Sequence, residues 1–360
     1  MVDHSSPPKP PLSTASLVVR LACIGGVVAL FAGAFAYVNG TLDPQRLRPK
    51  TLVNALETNN GVHPGFRRNH AKGVCVAGYF ESTPEARAYS SAQVFSEART
   101  PLIGRFALPS GNPYAPDSSV PIRSFAVEFR QANGQQWRTG MNSMPVFPVG
   151  TPEAFYQMLK AGAPDPATGK PNPANMPAFF AAHPETAPFL AWVKTAKPSA
   201  SFATETYNGI NAFYLVSADG KRQAVRWGVV PQSQDVPGEV APAGADFLEK
   251  DLAQRLASGP LRWQLNMTLA NLGDPIDDAS KNWTGEHKVV NAGTLVLESS
   301  QPQADGDCRD INFDPLVLPN GIQASDDPLL AARSAAYASS YLRRAGEVSS
   351  LHSAPQESKP

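Results

Sequence analysis

The sequence predicts an α+β protein built on an antiparallel β-sheet long enough in its strands to close into a barrel, with helices around it. Two runs alternate apolar and polar residues at period two, an Asp-Gly turn separates two neighbouring strand-like runs, and three amphipathic or well-capped helical segments are interspersed with them. The composition fits this reading. Apolar residues make up 42% of the 360 positions, with 17 Phe, 9 Tyr and 5 Trp, enough to fill a large core and to exclude wholesale disorder. The 35 prolines, against a usual share of roughly 5%, favour short elements and many loops over a helical bundle. Lys and Arg number 31, as do Asp and Glu, and charged residues are only 17% of the chain, so a nucleic-acid partner is not expected.

Residues 1–16 are polar and rich in Ser and Pro, and Leu21 to Val38 then runs for 18 residues without a charge, preceded by Arg20. That length is the lower edge of a spanning helix, while Ala34-Phe35-Ala36 offers a cleavage site, so residues 17–40 read equally as a signal peptide or a retained transmembrane anchor. In either case the basic flank puts the remainder on the non-cytoplasmic side, the periplasm in a bacterium. Residues 41–346 contain no linker and read as one domain; 347–360, rich in Ser, read as a disordered tail.

Within the domain, Val74 to Phe80 is strand-like, and Phe125-Val127-Phe129 and Leu261-Trp263-Leu265-Met267-Leu269 mark half-buried strands. Ala212 to Val230 reads as a hairpin around Ala218-Asp219-Gly220. Helices are expected at Pro152 to Ala161, Asp246 to Ala257 and Pro328 to Arg344. There is no internal repeat, P-loop or G-x-G-x-x-G, so nucleotide chemistry has no support. Cys23, Cys75 and Cys308 make no disulfide framework; Cys75 reads as a small buried hydrophobe, and the redox compartment stays open.

The last helix has Asp326 or Asp327 to cap it, Pro328 in its first turn, and Arg333, Tyr337, Tyr341 and Arg344 on one face. An arginine one turn before a tyrosine can favour the phenolate, a hard anionic ligand for iron; a solvated Arg/Tyr face is the alternative. His70, just before a strand, is either an acid/base group over a pocket or a hydrogen-bonded structural histidine. Asn142, before Met144-Pro145, is either a donor into the same pocket or a turn residue. His183, His287 and His352 read as solvated, and Trp137, Trp192, Trp227 and Trp263 as core or interface. A metal site from His63, His70 and Cys75 has no standard ligand spacing.

Taken together, these stretches resemble the catalase superfamily. Arg67-Arg68-Asn69-His70-Ala71-Lys72-Gly73 is similar to its distal-histidine motif, and Pro121 to Phe129 to its R-G-F-A-V-K-F strand. Asn142 to Phe147 is similar to its N-N-T-P-x-F segment. Phe313-Asp314-Pro315 through Gly321-Ile322, leading into Arg333-Ser334-Ala335-Ala336-Tyr337, is similar to its F-D-P, P-x-G-I and R-x-x-x-Y signatures. Order and spacing agree over about residues 45–345.

The resemblance implies a catalase-like antiparallel β-barrel with haem, as haem b, buried between the barrel and the C-terminal helix. It implies Tyr337 as the iron ligand and Arg333 as the stabiliser of its phenolate. His70 would be the distal acid/base and Asn142 the distal donor. Arg67, Arg105 and Arg344 would neutralise the haem propionates, and Phe155 would pack on the haem face. The implied activity is peroxidase reduction of hydrogen peroxide and organic peroxides through a high-valent oxo-iron, in oxidative stress defence, with a small-molecule or protein reductant and self-association as a homo-oligomer.

Several positions depart from the family pattern. Ala107 stands where the family has a serine bonded to the distal histidine, and Asn69 where it has a valine. The stretches before the barrel and after the tyrosine helix are short. This form resembles the bacterial catalase-related peroxidases more than full catalases. A haem-dependent hydroperoxide lyase or isomerase and a non-enzymatic haem-binding protein are the alternatives.

Overall fold

The computed structural model describes residues 13–38, 47–197, 199–233 and 244–353. Residues 1–12 of the expected polar N-terminus and 354–360 of the expected tail lie outside them. The chain divides into a unit ending at Arg48 and a unit from Pro49 onward. The first contains α1 (Thr14–Val38), a 25-residue helix with no buried residue that is long and apolar enough to cross a membrane. At 1.5 Å per residue it is about 37 Å long, against a hydrocarbon core of about 30 Å.

The second unit begins with α2 (Pro49–Asn60) and continues into β1 (Gly73–Ser82), β2 (Thr100–Ala107), β3 (Ser124–Arg130) and β4 (Gln136–Asn142). Next come α3 (Pro152–Ala161), α4 (Asn175–Ala182) and α5 (Ala187–Val193). After them lie β5 (Tyr207–Asn208), β6 (Phe213–Val216), β7 (Arg222–Pro231), α6 (Phe247–Ser258), β8 (Leu261–Leu269), β9 (Val289–Pro302), β10 (Ile322–Ala324) and α7 (Pro328–Ser353). Strands pair antiparallel in the order β1-β2-β3-β4-β5-β7-β8-β9, and β9 pairs back onto β1, so the predicted barrel is closed. Closure removes the exposed edges that an open sheet would leave. β6 and β10 extend the pairing from β7.

Alternation along the strands sorts side chains into the barrel or away from it. In β8, Leu261, Trp263, Leu265, Met267 and Leu269 are all buried and the intervening residues half-buried. The interior is aromatic: Phe106 stacks on Phe125 at 4.3 Å, and Phe129 on Trp137 at 4.7 Å. Trp137, Trp227 and Trp263 belong to this core, while Trp192 is half-buried on α5. In the β6–β7 hairpin, Ser217 pairs with Lys221 across a three-residue loop rather than a two-residue one, and Gly220 (φ 83°) supplies the left-handed residue such a loop needs.

Four expectations are corrected. Cys75 and Cys308 form a disulfide across a sequence separation of 233, so Cys75 is not a free small hydrophobe. No spacing within either segment announces the bond, because strand pairing brings the two together. α7 runs to Ser353, past the expected start of the disordered tail, and Glu347 in that stretch forms an ion pair with Arg68. His287 is not solvated: its Nε2 lies 2.8 Å from Asp274, and only 7% of its side chain is exposed. His183 also leaves solvent, stacking on Phe179 at 4.2 Å. The side chain of His352 lies outside the described residues.

Candidate active site

Two rows of residues cross the outer face of the barrel in register. One is Cys75, Arg105, Ala126 and Gly140; the other is Gly73, Ala107, Ser124 and Asn142. Most of these side chains are small, which leaves room beside the sheet. A cavity of about 710 Å³ opens there, within the range of ligand and cofactor sites. The sheet rows form part of its wall, and α2, α3, α4, α5, α7, the chain before β1 and several connecting loops supply the rest. All eight sequence-predicted site residues line it: Arg67, His70, Arg105, Asn142, Phe155, Arg333, Tyr337 and Arg344.

α7 presents Arg333 and Tyr337 one turn apart, with Arg333 Nη2 3.5 Å from the Tyr337 hydroxyl. Asp327 starts the helix, its Oδ1 accepting from Leu329 N at 2.9 Å. Its other oxygen accepts from Asn211 Nδ2 at 2.7 Å, and Asn211 Oδ1 in turn accepts from Arg333 Nη1. A buried carboxylate, an amide and a guanidinium therefore run in series to the tyrosine oxygen. Asp327 is legible in the sequence as a cap of the last helix but not as a partner of Asn211, and Asn211 carries no local motif that would have identified it.

His70 is half-buried, and its backbone is left-handed at φ 54°, uncommon for a residue with a Cβ. Two bonds hold it: His70 N donates to Asn69 Oδ1 at 3.0 Å, and the His70 carbonyl accepts from Arg105 Nη2 at 2.7 Å. Burial, and then the charges of Arg105, Arg333 and Arg67, lower its pKa to about 3. The imidazole is therefore neutral across the physiological range. Its Nδ1 is buried without a hydrogen-bond partner. Ala107, which has no hydroxyl, lines the same cavity. Asn142 Oδ1 accepts from Ser124 Oγ at 2.6 Å, which commits the oxygen end of the amide and leaves the Nδ2 end as donor.

Arg67, Arg105 and Arg344 line the cavity with little countercharge. Arg67 Nη2 donates to the carbonyls of Cys308, Arg309 and Ile311 at 3.1, 3.0 and 2.8 Å, while its buried Nη1 has no partner. Arg105 bonds Gln303 Oε1 through Nε at 2.7 Å, and Arg344 donates to the Arg309 carbonyl at 2.6 Å. Asp310, 4.0 Å from Arg344 and with 75% of its side chain exposed, is the one carboxylate paired with any of the three among the described residues. Burial, reinforced by the other guanidiniums, lowers the pKa of Arg67 and brings that of Arg105 to about 9. Such a cluster calls for an anion, and a ligand with two carboxylates would answer it.

The opposite requirement, an apolar surface, is met by Phe155, Met158, Phe180, Phe189 and Leu190 on α3 to α5. Phe155 lies 5.4 Å from the Phe147 ring. Among the described residues no group of three or more His, Cys, Asp or Glu could hold a bare metal ion. The weak His63, His70 and Cys75 option is removed by the disulfide. Tyr337 contributes a single hard oxygen to the cavity wall, so a metal held there would have to bring most of its own ligands.

Comparison with known structures places the barrel among the catalases. A fungal catalase superposes with a TM-score of 0.69 at 20% identity, covering 79% of this chain and 60% of its own. A bacterial catalase gives 0.69 at 22%, covering 88% and 66%. The chain thus spans somewhat under two thirds of those catalases. The family described as Catalase matches residues 43–351, and the chain belongs to the catalase family, as an enzyme of the catalase and peroxidase kind. Among its relatives, a catalase-related peroxidase of Synechococcus elongatus is 36% identical over 331 residues, 91% of this chain and 96% of the relative. A catalase-related peroxidase of Mycolicibacterium paratuberculosis is 31% identical, covering 83% and 96%.

Proposed function

We propose that this chain is a haem-dependent peroxidase that reduces hydrogen peroxide and organic peroxides in oxidative stress defence, outside the cytoplasm. The observation that carries this reading is the convergence on one cavity of Tyr337 with Arg333, a neutral His70, Asn142 and three guanidiniums with little countercharge. Tyr337 would hold the iron of haem b. Arg67, Arg105 and Arg344 would meet its carboxylates, and Phe155 would pack on its face. Bound haem supplies the two-electron redox chemistry of peroxide reduction.

The chain's own residues handle the proton. Neutral His70 accepts it from the peroxide oxygen and returns it to the departing one, so that water or an alcohol leaves; such general acid/base catalysis contributes roughly 10²–10⁴-fold. Asn142 Nδ2 donates to the peroxide and orients it. Arg333 Nη2, 3.5 Å from the Tyr337 oxygen, orients it toward the cavity. The apolar α3 to α5 wall, with no carboxylate lining the cavity among the described residues, supports organic peroxides as substrates. Export is supported by α1 and by the Cys75–Cys308 bond, which persists in oxidising compartments.

Stopped-flow absorbance of the full chain with ferric haem, mixed with hydrogen peroxide or an alkyl hydroperoxide with and without a reducing dye, tests the reading. It predicts a bleached Soret band that the dye restores. Haem uptake with no spectral change and no peroxide loss would sink it.

A further inference from the structure

The loop after β9, from Gln303 to Phe313, bonds all three cavity arginines. Gln303 Oε1 accepts from Arg105. The Cys308, Arg309 and Ile311 carbonyls accept from Arg67, and the Arg309 carbonyl also accepts from Arg344. These acceptors are what hold three like charges side by side. The segment 303–313 carries no α-helix or strand of its own, so its position depends on what fastens it.

Its fastening is covalent and sits at the same place. Cys308 is bonded to Cys75, and Cys75 is the register partner of Arg105 across β1 and β2. The residue whose carbonyl receives Arg67 is thus tied to the strand position beside Arg105. The loop also fits closely over the bond: a Cβ at Gly306 would lie 2.6 Å from Cys75 Sγ. Both cysteines are buried, at 2% and 0% exposure.

We infer that the Cys75–Cys308 bridge is a positioning device for the arginine cluster, holding the loop carbonyls so that Arg67, Arg105 and Arg344 converge on one dicarboxylate ligand. The inference rests on the haem reading only for the identity of that ligand, the haem carboxylates. A bridge that served stability alone would have no reason to act on the ligand's carboxylates more than on its ring.

The full chain and its Cys75→Ala/Cys308→Ala variant are loaded with ferric haem, and transfer to excess apomyoglobin is timed at a temperature where circular dichroism shows both folded. The same is done with haem dimethyl ester, which lacks free carboxylates, and amide exchange is followed over residues 303–313. The inference predicts at least tenfold faster transfer of haem from the variant, little change for the ester, and faster exchange in the loop with β7 and β8 unaltered. Gly306→Val, which keeps both cysteines but crowds the bond, should act in the same direction and serves if the double variant does not fold. Equal haem transfer, or equal acceleration of haem and ester, overturns it. Wild-type protein that takes up no ferric haem overturns the functional reading instead; loop exchange in the variants then decides whether the bridge holds the arginines' acceptors.

Discussion

Arg105 and His70 are joined through the backbone, the Arg105 Nη2 donating to the His70 carbonyl oxygen at 2.7 Å. One guanidinium therefore serves two ends: it adds to the positive cluster and pins the left-handed turn that carries the imidazole. Arg105→Leu removes both. The orphaned carbonyl alone costs about 1–3 kcal/mol. The variant is expected to lose haem affinity and peroxide turnover together, in equilibrium titration and in stopped-flow.

Replacing the imidazole separates binding from chemistry. His70→Ala should still take up haem, since Tyr337 and the arginines are untouched, and should lose roughly 10²–10⁴-fold in the rate of reaction with peroxide. Full retained rate would end the acid/base assignment.

Tyr337→Phe deletes the oxygen that would bind iron, and Arg333→Ala deletes its partner at 3.5 Å while leaving Asn211 Oδ1 without its donor. Both should shift the ferric spectrum, Tyr337→Phe the more strongly. Unchanged spectra would exclude Tyr337 as the ligand.

Acid should destabilise the haem-free protein through His70. Its pKa is lowered in the fold to about 3 from the ordinary 6.5, so between those values the unfolded chain binds the extra proton. Stability is therefore present above pH ~6.5 and lost as pH falls toward about 3, by an amount on the order of 4–5 kcal/mol from this group. In urea titrations, His70→Gln should flatten that part of the pH dependence; an unaltered slope would contradict it.

Most of the fold was legible because its signals are local. Alternation at Leu261 to Leu269, the proline and threonine that open α3, and the Asp327-Pro328 start of α7 all depend on residues a few positions apart. The candidate site was legible where motifs carry it, and all eight expected residues meet at one cavity. The partners that hold them were not. Ser124 meets Asn142 through strand register, Gln303 reaches Arg105 across a separation of 198, and Asn211 reaches Arg333 across 122. The Cys75–Cys308 bond left one faint trace: two cysteines remain once the apolar N-terminal segment is set aside.

The seam between β1 and β9 also has a temporal meaning. It joins residues 74–82 to residues 293–302, so the barrel cannot close until five-sixths of the sequence is available. Such long-range pairing is slow relative to local helix formation. His70 and Tyr337 stand at opposite ends of the catalase-like stretch, and their cavity comes into being only when α7 docks beside α2. Assembly of the pocket is then a late event in folding, and a ligand that touches both ends of the stretch can be captured only after they have met.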